Sequence, residues 1–151
     1  MGAGKLDESI AEYEKVLSLN SKHPLALCNL GAALAQQGKL DQAITQYRLS
    51  LQADDARVDT HYNLALAFQG KGQADEALAE YRKVLDLYPN DQQAYWSSCF
   101  VATAMEGKGQ KAEAMDLLKK AAQLNDRVRV DLQDSARTEL RRLQQPPSNQ
   151  P

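Results

Sequence analysis

Two histidines, two cysteines and twenty carboxylates are the side chains in this 151-residue chain from which acid–base, nucleophilic or metal chemistry could be assembled. Nucleophilic catalysis needs a base within hydrogen-bond reach of a nucleophile, and no triad is visible around either histidine. His23 directly precedes Pro24 and reads as a turn residue. Cys28 and Cys99 have neither Cys-x-x-Cys spacing nor companion histidines at zinc-like intervals, so they read as small wall residues. The run Gly2-Ala3-Gly4-Lys5 lacks the Ser or Thr after lysine, and the preceding strand, that a phosphate-binding loop requires. Asp54 and Asp55 fit a solvated turn. No catalytic residue, metal site or cofactor is expected, and the chain reads as a non-enzyme.

Composition narrows the function further. A hydrophobic share of 43% with 25% charged residues belongs to a globular chain, not a disordered one. The formal charge of -2 leaves no whole-domain electrostatic footprint for nucleic acid. No apolar run approaches the roughly 18 residues of a spanning helix, so direct membrane insertion is not expected. Cytoplasm is the default compartment, or periplasm if an upstream signal has been removed.

The elements that must position any binding residue come as a repeat. Gly4, Gly38 and Gly72 recur every 34 residues, as do Tyr13, Tyr47 and Tyr81. A fourth glycine, Gly109, follows after 37 residues, and the three additional residues are assigned to the turn at Asn90 to Gln93. Each unit carries two apolar stripes of helical period separated by a glycine turn, which specifies two antiparallel helices rather than strands. Glycine suits the turn because the chain leaves the first helix with positive φ. Asp41 and Asp75 fall at the start of the second helices, where a carboxylate is expected to accept free backbone N–H groups.

These residues resemble the tetratricopeptide repeat family, whose pattern is W-x2-L-G-x2-Y, then A-x3-F, then P. The second unit reads Leu27, Leu30-Gly31, Leu34, Ala43, Tyr47; the third reads His61, Leu64-Ala65, Phe68, Ala77, Tyr81, Pro89. The fourth, Ser98, Val101-Ala102, Met105, Ala114, Leu118, keeps the small residues and loses both aromatics. The resemblance implies an all-α fold, an α-solenoid of stacked antiparallel helix pairs forming a superhelix. Gly31, Ala65 and Ala102 would then sit where helices approach closely, opposite Ala43, Ala77 and Ala114. His61 stands where the family often has tryptophan, which implies a partly buried packing role.

The resemblance divides the chain into a half repeat at 1–23 holding only a second helix, units at 24–57 and 58–91, and a divergent unit at 92–125. Val128, Leu132, Ala136, Leu140 and Leu143 then mark one more amphipathic helix, a terminal cap over 126–144, followed by a disordered tail at 145–151. Ile10, Tyr13 and Leu17 of the half repeat lack part of their cover, which makes a homo-oligomer through this segment one expectation and a chain cut from a longer protein another.

In the family the first helices line a concave face where partners bind. The positions on it are Leu25, Cys28, Asn29, Ala32, Ala35 and Gln36, then Asp59, Tyr62, Asn63, Leu66 and Gln69, then Trp96, Cys99, Phe100, Thr103 and Glu106. None is Lys or Arg, so the carboxylate clamp of chaperone adaptors is absent from these positions. Basic residues lie instead on second helices, as with Arg48 and Lys83, interleaved with Glu80 on a face that reads as solvated. The equivalent Asn29 and Asn63 carry amides suited to the backbone of an extended peptide. Tyr62 and Leu66 supply apolar contact beside them, and Trp96 and Phe100 an aromatic anchor. The function expected is a non-catalytic scaffold binding a protein or peptide partner on that face. The alternatives are a self-assembling scaffold and the recruiting segment of a larger enzyme such as a glycosyltransferase.

Overall fold

Helix formation follows the glycine punctuation. The computed structural model describes residues 3–89, 92–128 and 133–145, and all regular structure among them is helical. In order the helices are α1 (Ala3–Leu19), α2 (Pro24–Gln36), α3 (Leu40–Ala53), α4 (Val58–Gly70), α5 (Ala74–Leu87), α6 (Gln92–Gly107), α7 (Lys111–Val128) and α8 (Gln133–Gln144). Among the described residues the positive-φ positions are Gly38, Gly72 and Gly109, at φ 75°, 73° and 79°. Each closes a Schellman cap: Lys39 N–H donates to Leu34 O, Gln73 to Phe68 O and Gln110 to Met105 O, at 2.9–3.0 Å. Gly4, the first member of the glycine series, lies inside α1 instead of in a turn.

The chain divides into two compact units, with the boundary between Lys83 and Val84 inside α5. In the first, α1 packs on α2, α2 on α3 and α3 on α4. Its core holds Leu27, Leu30, Leu34, Ile44, Tyr47, Leu64, Phe68, Leu78 and Tyr81. Ala43, Ala65 and Ala77 are fully buried, as the close-approach slots require. Gly31 has the same reason in sharper form: a Cβ there would lie 2.7 Å from Cε1 of Tyr47. His23 caps α2 by accepting from Ala26 N–H at 3.3 Å, with Pro24 in the first turn.

The second unit packs α6 on α7 and α7 on α8. Tyr95, Ala102, Ala114, Leu118, Ala121 and Leu143 form its core, with Leu140 partly buried against them. The terminal helix therefore covers the last pair, although it begins at Gln133 and leaves Val128 on α7. Of the tail expected at 145–151 all but Gln145 lies outside the described residues, as do Asn90, Asp91 and Leu132.

Two expectations are corrected here. The three additional residues do not lengthen the turn. α6 spans 16 residues where α2 and α4 span 13, so they add a turn to the front of that helix. Asp41 caps nothing: α3 follows Lys39 with no side-chain cap, and the Asp41 carboxylate instead receives Nζ of Lys71. Asp7, 34 positions earlier, likewise receives Nε2 of Gln37 at 2.7 Å. These aspartates tie one inter-helix turn to the preceding second helix. Among the described residues no helix is long and apolar enough to cross a membrane.

Candidate functional site

Residues 62, 63 and 66 of α4 share one side of the helix, and 25 and 29 share one side of α2, because positions three or four apart lie above one another. Leu25 and Leu66 are 45% and 44% exposed, while Asn29, Tyr62 and Asn63 are half-buried. Asn63 donates from Nδ2 to Sγ of Cys28 at 3.8 Å, a weak bond that fixes which way its amide faces. The Asn29 side-chain amide makes no hydrogen bond among the described residues. The Tyr62 ring meets Tyr81 edge to face, with centroids 5.8 Å apart, and burial pushes the Tyr62 hydroxyl above its ordinary pKa.

Cys28 is not on the open face where helical spacing places it. It is only 2% exposed and burial raises its thiol, so it serves as the wall that Asn63 leans on. Behind it runs a buried hydroxyl pair. Ser50 donates to Pro24 O at 2.8 Å, and its oxygen lies 3.3 Å from the Thr60 hydroxyl. These bonds tie α2, α3 and α4 together beneath the asparagines. Gln69 is likewise occupied, accepting from the Tyr81 hydroxyl at 2.9 Å.

His61 is buried, as expected, but it is more than packing. Its Nε2 lies 3.0 Å from the Asp55 carbonyl oxygen, which only accepts, so Nε2 carries a proton. Its Nδ1 lies 2.6 Å from Oε2 of Glu80. Glu80 is therefore not part of a solvated face: its side chain is 12% exposed and also receives Nζ of Lys83 at 3.0 Å. Burial alone would raise its pKa, but the bonds from His61 and Lys83 outweigh it and hold the carboxyl below the usual range. The signal for Glu80 was present in the sequence. It stands three residues after Ala77 and four before Val84, both fully buried.

In the second unit Trp96 is 38% exposed and packs edge-on against Tyr95, with centroids 5.1 Å apart. Phe100 is half-buried one turn further along. Cys99 is covered, and burial pushes its thiol up to about 11. Glu106 is engaged by Nη2 of Arg142 from α8. The terminal helix thus takes Cys99 and Glu106 out of the open positions, while Trp96 and Thr103 stay exposed. Phe100 stands where Asn63 stands in the preceding unit, so the amide series stops at two. Among the described residues no three His, Cys, Asp or Glu side chains come together to hold a metal ion.

Helix pairs closed by glycine caps 34 and then 37 residues apart, with buried small residues at Ala43, Ala65, Ala77, Ala102 and Ala114, define a helical-repeat protein whose surface is its working part. A family model described as TPR repeat matches residues 3–38 and 33–72, and one described as Tetratricopeptide repeat matches 58–91. The chain belongs to the tetratricopeptide repeat family. A crystal structure of MamA protein is 25% identical, with a TM-score of 0.69 over 83% of this chain and 67% of that one. A second crystal structure of MamA, also 25% identical, gives 0.72 over 83% and 72%. MamA 41-end from Desulfovibrio magneticus RS-1, at 22% identity and 0.67 over 82% and 68%, shares the fold. No curated protein matches the sequence.

Proposed function

We propose that the protein is a non-catalytic interaction scaffold that holds an extended segment of a partner protein along the open side of α2 and α4. The observation that carries this is the half-buried Asn29 amide, without a hydrogen-bond partner among the described residues, in line with the exposed Leu25. A polar group so placed gains by meeting a peptide backbone. Asn63, Tyr62 and Leu66 extend the strip on α4. Trp96 and Phe100 offer the second unit an aromatic surface of its own. The test is a peptide selected from a random display library on the purified chain, then titrated into the N29A/N63A variant. Affinity lower by at least about tenfold, with helical content unchanged, supports the reading; equal affinity removes it.

Self-assembly is the second reading, favoured by Val16 and Leu19 on α1, which are 40% and 91% exposed. Light scattering over a dilution series tests it, and a monomer at every concentration ends it.

A further inference from the structure

A groove of about 420 Å³ runs between α3 and α5 with α4 as its floor, on the other side of α4 from Asn63 and Leu66. Leu64 and Phe68 form the floor, Leu51 and Ala79 the lower walls, and Arg48, Gln52, Glu76, Glu80 and Lys83 the rims. All lie in the first unit. The volume suits one or two large apolar side chains, and the floor is built and rigid, since Leu64 and Phe68 are buried in the core.

The charges on the rim are unequally compensated. Glu80 is held by His61 and Lys83, which also accounts for Lys83. Glu76 accepts from Nε2 of Gln73 at 3.1 Å and lies in the first turn of α5, where the helix end favours a negative charge. Arg48 is different. Its guanidinium lies 5.7 Å above the centre of the Phe68 ring and has no ion pair among the described residues. A ring contact of this kind favours a place for the cation beside the groove while leaving its N–H donors free. The groove therefore presents an apolar slot with one oriented, uncompensated positive charge on its α3 rim.

We propose that this groove is a second docking surface, for a partner segment that seats a leucine or phenylalanine in the slot and sets a carboxylate one helical turn away against Arg48. The carboxylate accepts a forked pair of bonds from the guanidinium, and the apolar residue fills the space above Leu64 and Phe68, between Leu51 and Ala79. This surface does not depend on the strip carrying Asn29 and Asn63, and a partner could occupy either alone.

The probes are three helical 16-residue peptides of one alanine-rich host carrying a phenylalanine, with Glu, Gln or Lys four positions before it. Binding is read by fluorescence anisotropy and located by amide shift changes in the labelled chain. The Glu peptide binds about tenfold more tightly than the Gln peptide, with shift changes at Arg48, Phe68 and Ala79. R48E inverts the order, so that the Lys peptide binds best, and A79W, which fills the slot from an exposed position, abolishes binding of all three. Circular dichroism of both variants matches the wild type. Equal binding of the three peptides, unchanged preference in R48E, shifts confined to Asn29 and Asn63, or no binding at millimolar concentration would each overturn the proposal.

Discussion

Nδ1 of His61 on α4 and Oε2 of Glu80 on α5 stand 2.6 Å apart with both side chains nearly out of water. One proton sits between them, while Nε2 is committed to the Asp55 carbonyl. The pair replaces the large aromatic that packs at this position in the family pattern, and it joins a loop and two helices at one point. Removing Glu80 strands Nδ1 of His61, removing His61 leaves Glu80 with Lys83 alone, and a buried polar group that loses its partner costs more than the intact pair contributes. E80A should lower stability by about 2–4 kcal/mol in urea unfolding. H61F, which keeps an aromatic ring but takes one partner from Glu80, should cost more than E80Q, which keeps a hydrogen-bond partner for Nδ1.

Acid should act through the same residue. The folded-state pKa of Glu80 is below its ordinary value, so its stabilisation is present above the ordinary glutamate range and is lost as pH falls through the folded value. Midpoints of unfolding between pH 6 and pH 2 should fall for the wild type and fall less for E80Q. Parallel curves would contradict the assignment.

Gly31 and Tyr47 approach so closely that no side chain fits between them. A methyl group at position 31 meets a ring that is buried on all sides, so G31A should cost about 1–3 kcal/mol. Y47F should give no relief, because the clash is with the ring carbons, whereas Y47L should recover part of the loss in a double-mutant cycle.

At Gly72 the constraint is conformational, not steric. Nothing lies within 4 Å of a Cβ there, yet φ is +73°. G72A should cost about 1–2 kcal/mol and G72N less, since asparagine tolerates the left-handed region.

The terminal helix should hold the second unit through its apolar contact and not its charges. Leu143 is 3% exposed among Tyr95, Ala102 and Leu118, so L143A should cost about 2–5 kcal/mol. Arg142 bridges Glu106 and Glu139 on the surface, and R142A should leave the thermal midpoint almost unmoved.

Local chemistry was readable from the residues themselves. Gly38, Gly72 and Gly109 announce left-handed caps, and Ala43, Ala77 and Ala114 announce close approaches, because each requirement is met by one residue type within one turn. Longer-range partnerships were not. Asp41 has the composition of a cap, but Lys71, thirty residues on, claims it. Glu80 has a spacing from Ala77 and Val84 that marks the buried side of its helix, but nothing in that spacing names His61 of the neighbouring helix as its partner. The extra turn of α6 was invisible because Gln92 and Gln93 fit a loop as well as a helix. Cys28 was assigned to the open face by spacing, which cannot tell a helix's outer edge from the seam it shares with the next helix.

The most direct measurement of the central claim is the footprint of a selected binding peptide on the labelled chain, read from backbone and side-chain amide resonances. The account predicts that the Asn29 and Asn63 side-chain amides shift together with Leu25, Tyr62 and Leu66. A footprint that leaves both asparagines unmoved, with a saturating peptide bound elsewhere, would contradict it.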